Sequence, residues 1–297
     1  MKVENTGRTS TPAIAVVFSG GATLGSFEAG VIDSIARARL RPALLVGTSI
    51  GALNAAFWAF NPSPDVGAAL HAAWHSSQDA NIFPRSPISM LLQLAEDRPL
   101  GDPSHLRRFL SSILGEDRSI EDAHIPLVIV ATDVVSGNPV VMRRGRLLQS
   151  LMASAAIPGL YPPVEIGGRL LVDGSLVANA DIEVVAAGPI KDVVLIDLMA
   201  PASRDELKGV RAVLEQAITI ALARQTELER VAVARRLRLV TIRLHVPHRP
   251  DLWDLRSGER LFDMGRKAGH RLLESHLENG KIRPGLIEPA GAVQTAG

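Results

Sequence analysis

The sequence predicts an α/β protein with a central, mostly parallel sheet and helices on both faces. Three observations predict it. Short blocks rich in Val, Ile and Leu are continuous rather than alternating, as strands buried on both faces read. Helix-like stretches separate these blocks, and two of the strand-to-helix turns are rich in glycine. The chain has 297 residues, enough to bury a large core, and no linker divides its middle. A single domain over residues 12–283 is therefore expected, with flexible tails at 1–11 and 284–297.

The first strand is Ala13 to Phe18, which follows a polar, Thr/Ser-rich start. It ends in Ser19-Gly20-Gly21-Ala22-Thr23-Leu24-Gly25, and a helix from Ser26 to Leu40 comes next. Glycines at 20, 21 and 25 permit backbone torsions that other residues resist and let main-chain N–H groups approach an anion. Two uses fit such a loop. A dinucleotide fingerprint needs a second glycine where Ala22 stands and an acid near the end of the next strand, where Val46-Gly47-Thr48-Ser49 has none. An oxyanion hole needs only amides aimed at a reacting carbonyl, and those of Gly20, Gly21 and Ala22 are the candidates.

The second strand, Ala43 to Val46, runs into Gly47-Thr48-Ser49-Ile50-Gly51 and an Ala-rich helix that Asn61-Pro62 ends. This is the G-x-S-x-G pattern of a nucleophile elbow, where a sharp turn lifts a serine into solvent and small flanks, here Gly47 and Gly51, let strand and helix close together. Ser49 then sits at a helix N-terminus, which favours developing negative charge. An ordinary glycine-rich turn with a serine cap reads the same way from these five residues alone.

Residues 61–115 carry Pro and Gly breaks with helices at Val66 to Ser76 and Pro103 to Leu114, expected to cover the sheet and part of a cleft. Apolar residues from Phe83 to Leu92 read equally as lid or core. His71 and His75 have zinc-compatible spacing, but Ala72 stands where the Glu of H-E-x-x-H belongs, so a packing role is expected. Ile125 to Asp133 reads as a strand in the middle of a parallel sheet, with Asp133 capping the turn after it, and Val140 to Met142 continues beyond that turn.

A helix from Leu148 to Ala156 leads into the proline-stiffened Ile157 to Pro163. Arg169 to Val172 is a strand ending at Asp173-Gly174-Ser175. An acid at the carboxyl end of a strand lies on the edge where α/β folds bind ligands, which makes Asp173 the candidate base. Further strands are expected at Asp192 to Leu198 and Val240 to Val246. Leu207 to Leu237 reads as a long helix with a charged, solvated face, Gly258 to Glu278 as a closing helix, and Pro284 onward as frayed.

Composition narrows the partners. A formal net charge of +1 argues against nucleic acid. The absence of Cys excludes disulfides and thiolate metal sites and fits a reducing, cytoplasmic setting. No apolar run is long enough to cross a bilayer, so any membrane contact is expected to be peripheral.

Taken together, the glycine loop with Ser26-Phe27-Glu28-Ala29-Gly30-Val31, the elbow Gly47 to Gly51, Ile125 to Gly137, Ala153 to Val164 and Asp173-Gly174 resemble the patatin-like phospholipases. The resemblance runs from about Ile14 to about Leu273. It implies lipid acyl-ester hydrolysis by a Ser-Asp pair, without cofactor or metal. Ser49 is then the nucleophile, Asp173 the proton acceptor, and the loop at Gly20, Gly21, Ala22 and Gly25 the oxyanion hole, with Gly174 shaping the turn. Leu24 stands where family members often carry a basic residue, so charge assistance is missing there, and Asp181 stands where a proline is often found. Two other readings compete: a Ser-Asp-His esterase or thioesterase using His245 or His248, and a catalytically silent lipid-binding scaffold.

Overall fold

The computed structural model describes residues 13–76, 101–199, 208–245 and 257–288. The stretch from Phe83 to Leu92, and His248, lie outside them. Among the described residues the first three strands along the chain are β1 (Ile14–Phe18), β2 (Leu44–Thr48) and β3 (Leu127–Asp133). With β7 (Asp192–Asp197), β8 (Arg238–Arg243) and β11 (Gly285–Ile287) they make a parallel run in the order β11-β8-β7-β1-β2-β3. Antiparallel strands β4 (Pro139–Met142), β5 (Val164–Ile166) and β6 (Arg169–Asp173) complete the sheet beside β3.

Successive strand residues face opposite ways, and each face has its own core. On one side Val16, Phe18, Leu45 and Ile129 pack with Phe27, Leu53 and Trp58 from helices α1 (Gly25–Arg37) and α2 (Ile50–Phe60). On the other Val17, Val46, Val128 and Val130 meet Ile182, Val185, Val233 and Leu237. The helix Gly258–Ser275 lies against α1 so closely that a Cβ on Gly30 would strike the Phe262 carbonyl, which is why Gly30 has no side chain.

The β3 register positions the site. One side of β3 carries β4 over Ile129 to Thr132, so β2 and β6 share the other. There β2 ends with Thr48 beside Val130, and β6 ends with Asp173 beside Ala131. Two strands running in opposite senses thus bring their carboxyl ends together against adjacent residues of one neighbour.

Three expectations are corrected. Gly285–Ile287 is a strand paired in parallel with β8, not a frayed end. The closing helix stops at Ser275, because Asn279 and Gly280, both at positive φ, turn β9 (Leu277–Glu278) into a hairpin with β10 (Lys281–Ile282). The helix Gly209–Val233 does not turn a charged face to water: Thr219 and Thr226 are buried, while Val213, Leu214, Ile218, Ile220, Leu228 and Val231 are each more than half exposed. A polar residue count alone gives the periodicity of such a helix but not which face the rest of the chain occupies. No described helix is long and apolar enough to cross a membrane.

Candidate active site

Ser49 stands between β2 and α2 with φ 54° and ψ −123°, a conformation that costs a non-glycine residue about 1–3 kcal/mol. The glycines on either side make the corner tight. A Cβ on Gly47 would come within 2.5 Å of the Gly51 carbonyl, and one on Gly51 within 2.6 Å of the carbonyls of Phe18 and Ser19. Strain is held by partners: the Ser49 N–H donates to Ser154 Oγ at 2.9 Å, and Ser154 Oγ donates to the Val130 carbonyl at 2.6 Å.

The Ser49 hydroxyl donates to Asp173 Oδ2 at 2.5 Å. The other carboxylate oxygen, Oδ1, accepts from the Ser175 amide at 2.8 Å, and Thr132 Oγ1 holds the Asp173 carbonyl at 2.9 Å. Asp173 is only 4% exposed. Burial raises its pKa above the ordinary 3.8, outweighing the hydrogen bonds from Ser49 and Ser175 that favour the charged form. A carboxyl so placed is a stronger base than a solvated one.

Three features differ from expectation. Ser49 is not lifted into solvent but is 5% exposed, because Ala22, Leu53, Trp74, Leu106, Ile157 and Tyr161 close over it. They enclose a cavity of about 30 Å³, room for a water molecule or two. The Gly20 amide donates to the Asn179 carbonyl at 3.1 Å, so Gly20 drops out as a free donor. Gly21 and Ala22 make no backbone hydrogen bond through their amides among the described residues, and Ala22 is held at a φ of 49°. Finally, a groove of about 810 Å³ between the helix Gly209–Val233 and strands β8 and β11 contains none of the expected site residues.

The remaining candidates fall close by. A Cβ on Gly20 would lie 3.4 Å from Ser49 Cβ, so the glycine loop is against the elbow. Gly174 packs on β3, where a Cβ would meet the Val130 carbonyl at 2.5 Å. Gly25 abuts Ile50 and offers its carbonyl to Asn54 Nδ2 at 3.0 Å. Leu24, in the position often basic, is fully buried in the core. His245 follows β8, three strands from β2, or about 14 Å across the sheet. His71 stacks on Phe262, and Asp133 accepts from the Val135 amide, so both serve packing and turn roles.

Two elements were not singled out from sequence. Ser154 is one. The other is a buried link under the loop: Asn54 Nδ2 also donates to Glu28 Oε2 at 2.7 Å, and Trp74 Nε1 donates to Asn54 Oδ1 at 2.8 Å. Glu28 is fully buried, and that burial raises its pKa well above 4.5. The motif S-F-E-A-G-V marks Glu28, but nothing in the sequence says that Asn54 reaches it.

An α/β sheet with a strained serine at a strand-to-helix corner and a carboxyl from a distant strand in direct hydrogen bond defines a class, the α/β proteins that present a serine at such a corner. The sequence profile of the patatin-like phospholipases matches residues 16–186, and the chain belongs to that family. It is 31% identical over 190 residues to an uncharacterised NTE family protein of Mycobacterium tuberculosis, covering 63% of this chain and 30% of that one. It is 30% identical over 198 residues to patatin-like phospholipase domain-containing protein 7 of Rattus norvegicus, covering 65% of this chain and 14% of the relative. The chain thus spans less than a third of the length of either. The crystal structure of VipD from Legionella pneumophila aligns at a TM-score of 0.47 and 15% identity, over 90% of this chain and 67% of that one.

Proposed function

We propose that the chain is a serine acyl-ester hydrolase of lipids, of phospholipase A, lysophospholipase or lipid esterase type, with Ser49 as nucleophile and Asp173 as proton acceptor. One observation carries the reading: the 2.5 Å hydrogen bond from Ser49 Oγ to Asp173 Oδ2. A serine hydroxyl is a weak nucleophile until a base takes its proton. As Oγ attacks the ester carbonyl, its proton passes to Asp173. The carbonyl oxygen becomes an oxyanion facing the amides of Gly21 and Ala22. Collapse breaks the ester C–O bond, and Asp173 returns the proton to the departing alcohol. Water then attacks the acyl-enzyme, giving its proton to Asp173, and Ser49 Oγ leaves with that proton as the free acid is released.

The small apolar cavity over Ser49 favours an acyl chain as the group received there. Trp74, Leu106 and Tyr161 must part to admit more than a few carbons. A direct Ser-Asp bond, with Ser175 on the second oxygen, supports the two-residue arrangement over a triad through His245. Lipid-panel hydrolysis by the native chain, Ser49→Ala and Asp173→Asn tests the proposal. Both variants are expected to fold and to lose roughly a thousandfold or more in turnover. Substantial turnover by Asp173→Asn contradicts the assignment of the base.

A further inference from the structure

Among its described side chains, the helix Gly209–Val233 turns most of the large apolar ones outward. Its 25 residues span about 37 Å, longer than the strands it covers. The line turned toward the protein is mixed: Thr219 and Thr226 are buried beside Leu222, Ala223 and Val233, and Glu229 Oε2 accepts from the Ile182 amide at 3.4 Å. From residue 213 to 231 the stripe turned outward, Leu214, Ile218, Ala221 and Leu228 with Val213, Ala217 and Val231 beside it, is apolar apart from Arg224. A helix covering a sheet in water ordinarily keeps its outward face polar.

Its placement is equally specific. Glu227 lies 3.8 Å from Arg243, the last residue of β8, and Gln225 Oε1 accepts from the Asn179 amide. The Asn179 carbonyl in turn holds Gly20 of the loop beside Ser49. The helix therefore passes the catalytic edge of the sheet near residue 225, and the part N-terminal to it adds about 24 Å. Val213, Leu214, Ile218 and Ile220 all stand on that part.

Charge selects the occupant. Glu227 is paired with Arg230 and Arg243, and Glu215, Glu227 and Glu229 all lie off the outward stripe. From residue 212 to 233, Arg224 is the sole charged side chain that is fully on the exposed face. A face without outward carboxylates, apolar with one cation, suits an anionic lipid surface, where leucine and isoleucine enter the acyl boundary and the guanidinium meets phosphate.

We propose that this helix docks the chain on an anionic lipid surface, laying its outward face into the interface so that the catalytic edge of the sheet meets the bilayer. The inference rests on the reading of the substrate as a lipid ester. The test keeps the two separable by measuring docking on an inactive chain. Ser49→Ala protein is floated with vesicles of phosphatidylcholine and phosphatidylglycerol, with and without L214E/I218E, and Arg224→Glu is run beside them. Thermal unfolding checks the fold of each, and turnover of a water-soluble short-chain ester, measured with Ser49 present, checks the site. The expected result is flotation of the Ser49→Ala chain, a roughly tenfold or greater loss with L214E/I218E, and a smaller, salt-sensitive loss with Arg224→Glu. Soluble-ester turnover is expected to be unchanged by either substitution. No flotation of the Ser49→Ala chain overturns the proposal, as does equal flotation of L214E/I218E. A dimer that L214E/I218E makes monomeric, without flotation of the parent, assigns the face to a second copy instead. Failure of every lipid to be hydrolysed, with flotation intact, sinks the catalytic reading and leaves the docking face standing.

Discussion

The N–H of Ser49 donates to the Ser154 hydroxyl, and that hydroxyl donates to the Val130 carbonyl of β3. The strained corner is thus tied, through one side chain, to the strand on which Asp173 also registers. Ser154→Ala leaves a buried amide without its acceptor, a loss of about 1–3 kcal/mol. Urea unfolding is expected to show that loss, and ester kinetics a fall in kcat of roughly tenfold with little change in KM. Unchanged kcat would falsify the positioning role.

Gly51 lies under the glycine-loop strand, with no space for a methyl between α2 and the carbonyls of Phe18 and Ser19. Gly51→Ala must push α2 off β1, and overpacking of this kind costs about 1–3 kcal/mol. Lower stability together with loss of ester turnover is expected. Crystals of an active, undisplaced variant speak against the close approach described for this corner.

Asn54 carries three buried hydrogen bonds, to the Gly25 carbonyl, to Glu28 and from Trp74. Asn54→Ala is expected to destabilise the chain by about 2–4 kcal/mol, since at least two partners are left unsatisfied. Glu28→Gln keeps the shape and removes a titratable group. Because burial raises the Glu28 pKa above 4.5, the folded chain retains a proton that the unfolded chain releases. Stability from this group is full below the unfolded value and is lost as pH rises through the folded one. Unfolding free energy measured against pH should therefore decline less in Glu28→Gln than in the native chain.

Asp173 titrates by the same sign, with a consequence for rate. Its raised pKa means that the basic form appears only above the ordinary carboxylate value of 3.8. The acid limb of kcat/KM for a soluble ester is expected to fall at a pH higher than that of a solvated aspartate. An inflection at or below 3.8 removes burial as the source of the basicity.

The elbow and the acid were legible because each is local. Gly47 to Gly51 writes a strand-turn-helix corner in five residues, and Asp173-Gly174 ends a strand. Their meeting was legible only through the order of motifs, since it depends on β2 and β6 sharing one side of β3. Ser154 and Asn54 were invisible as partners because their contacts cross long sequence separations. Gly20 misled for the same reason: its torsional freedom is local, but its N–H belongs to Asn179. The outward face of Gly209–Val233 escaped because periodicity reports two faces without saying which one meets the protein.

The most direct test is site mapping with a fluorophosphonate. After reaction of the native chain, peptide mass spectrometry should find the adduct on Ser49, and Asp173→Asn should label roughly a hundredfold more slowly or worse. An adduct on another serine, or an Asp173→Asn chain that labels Ser49 at the native rate, contradicts the account.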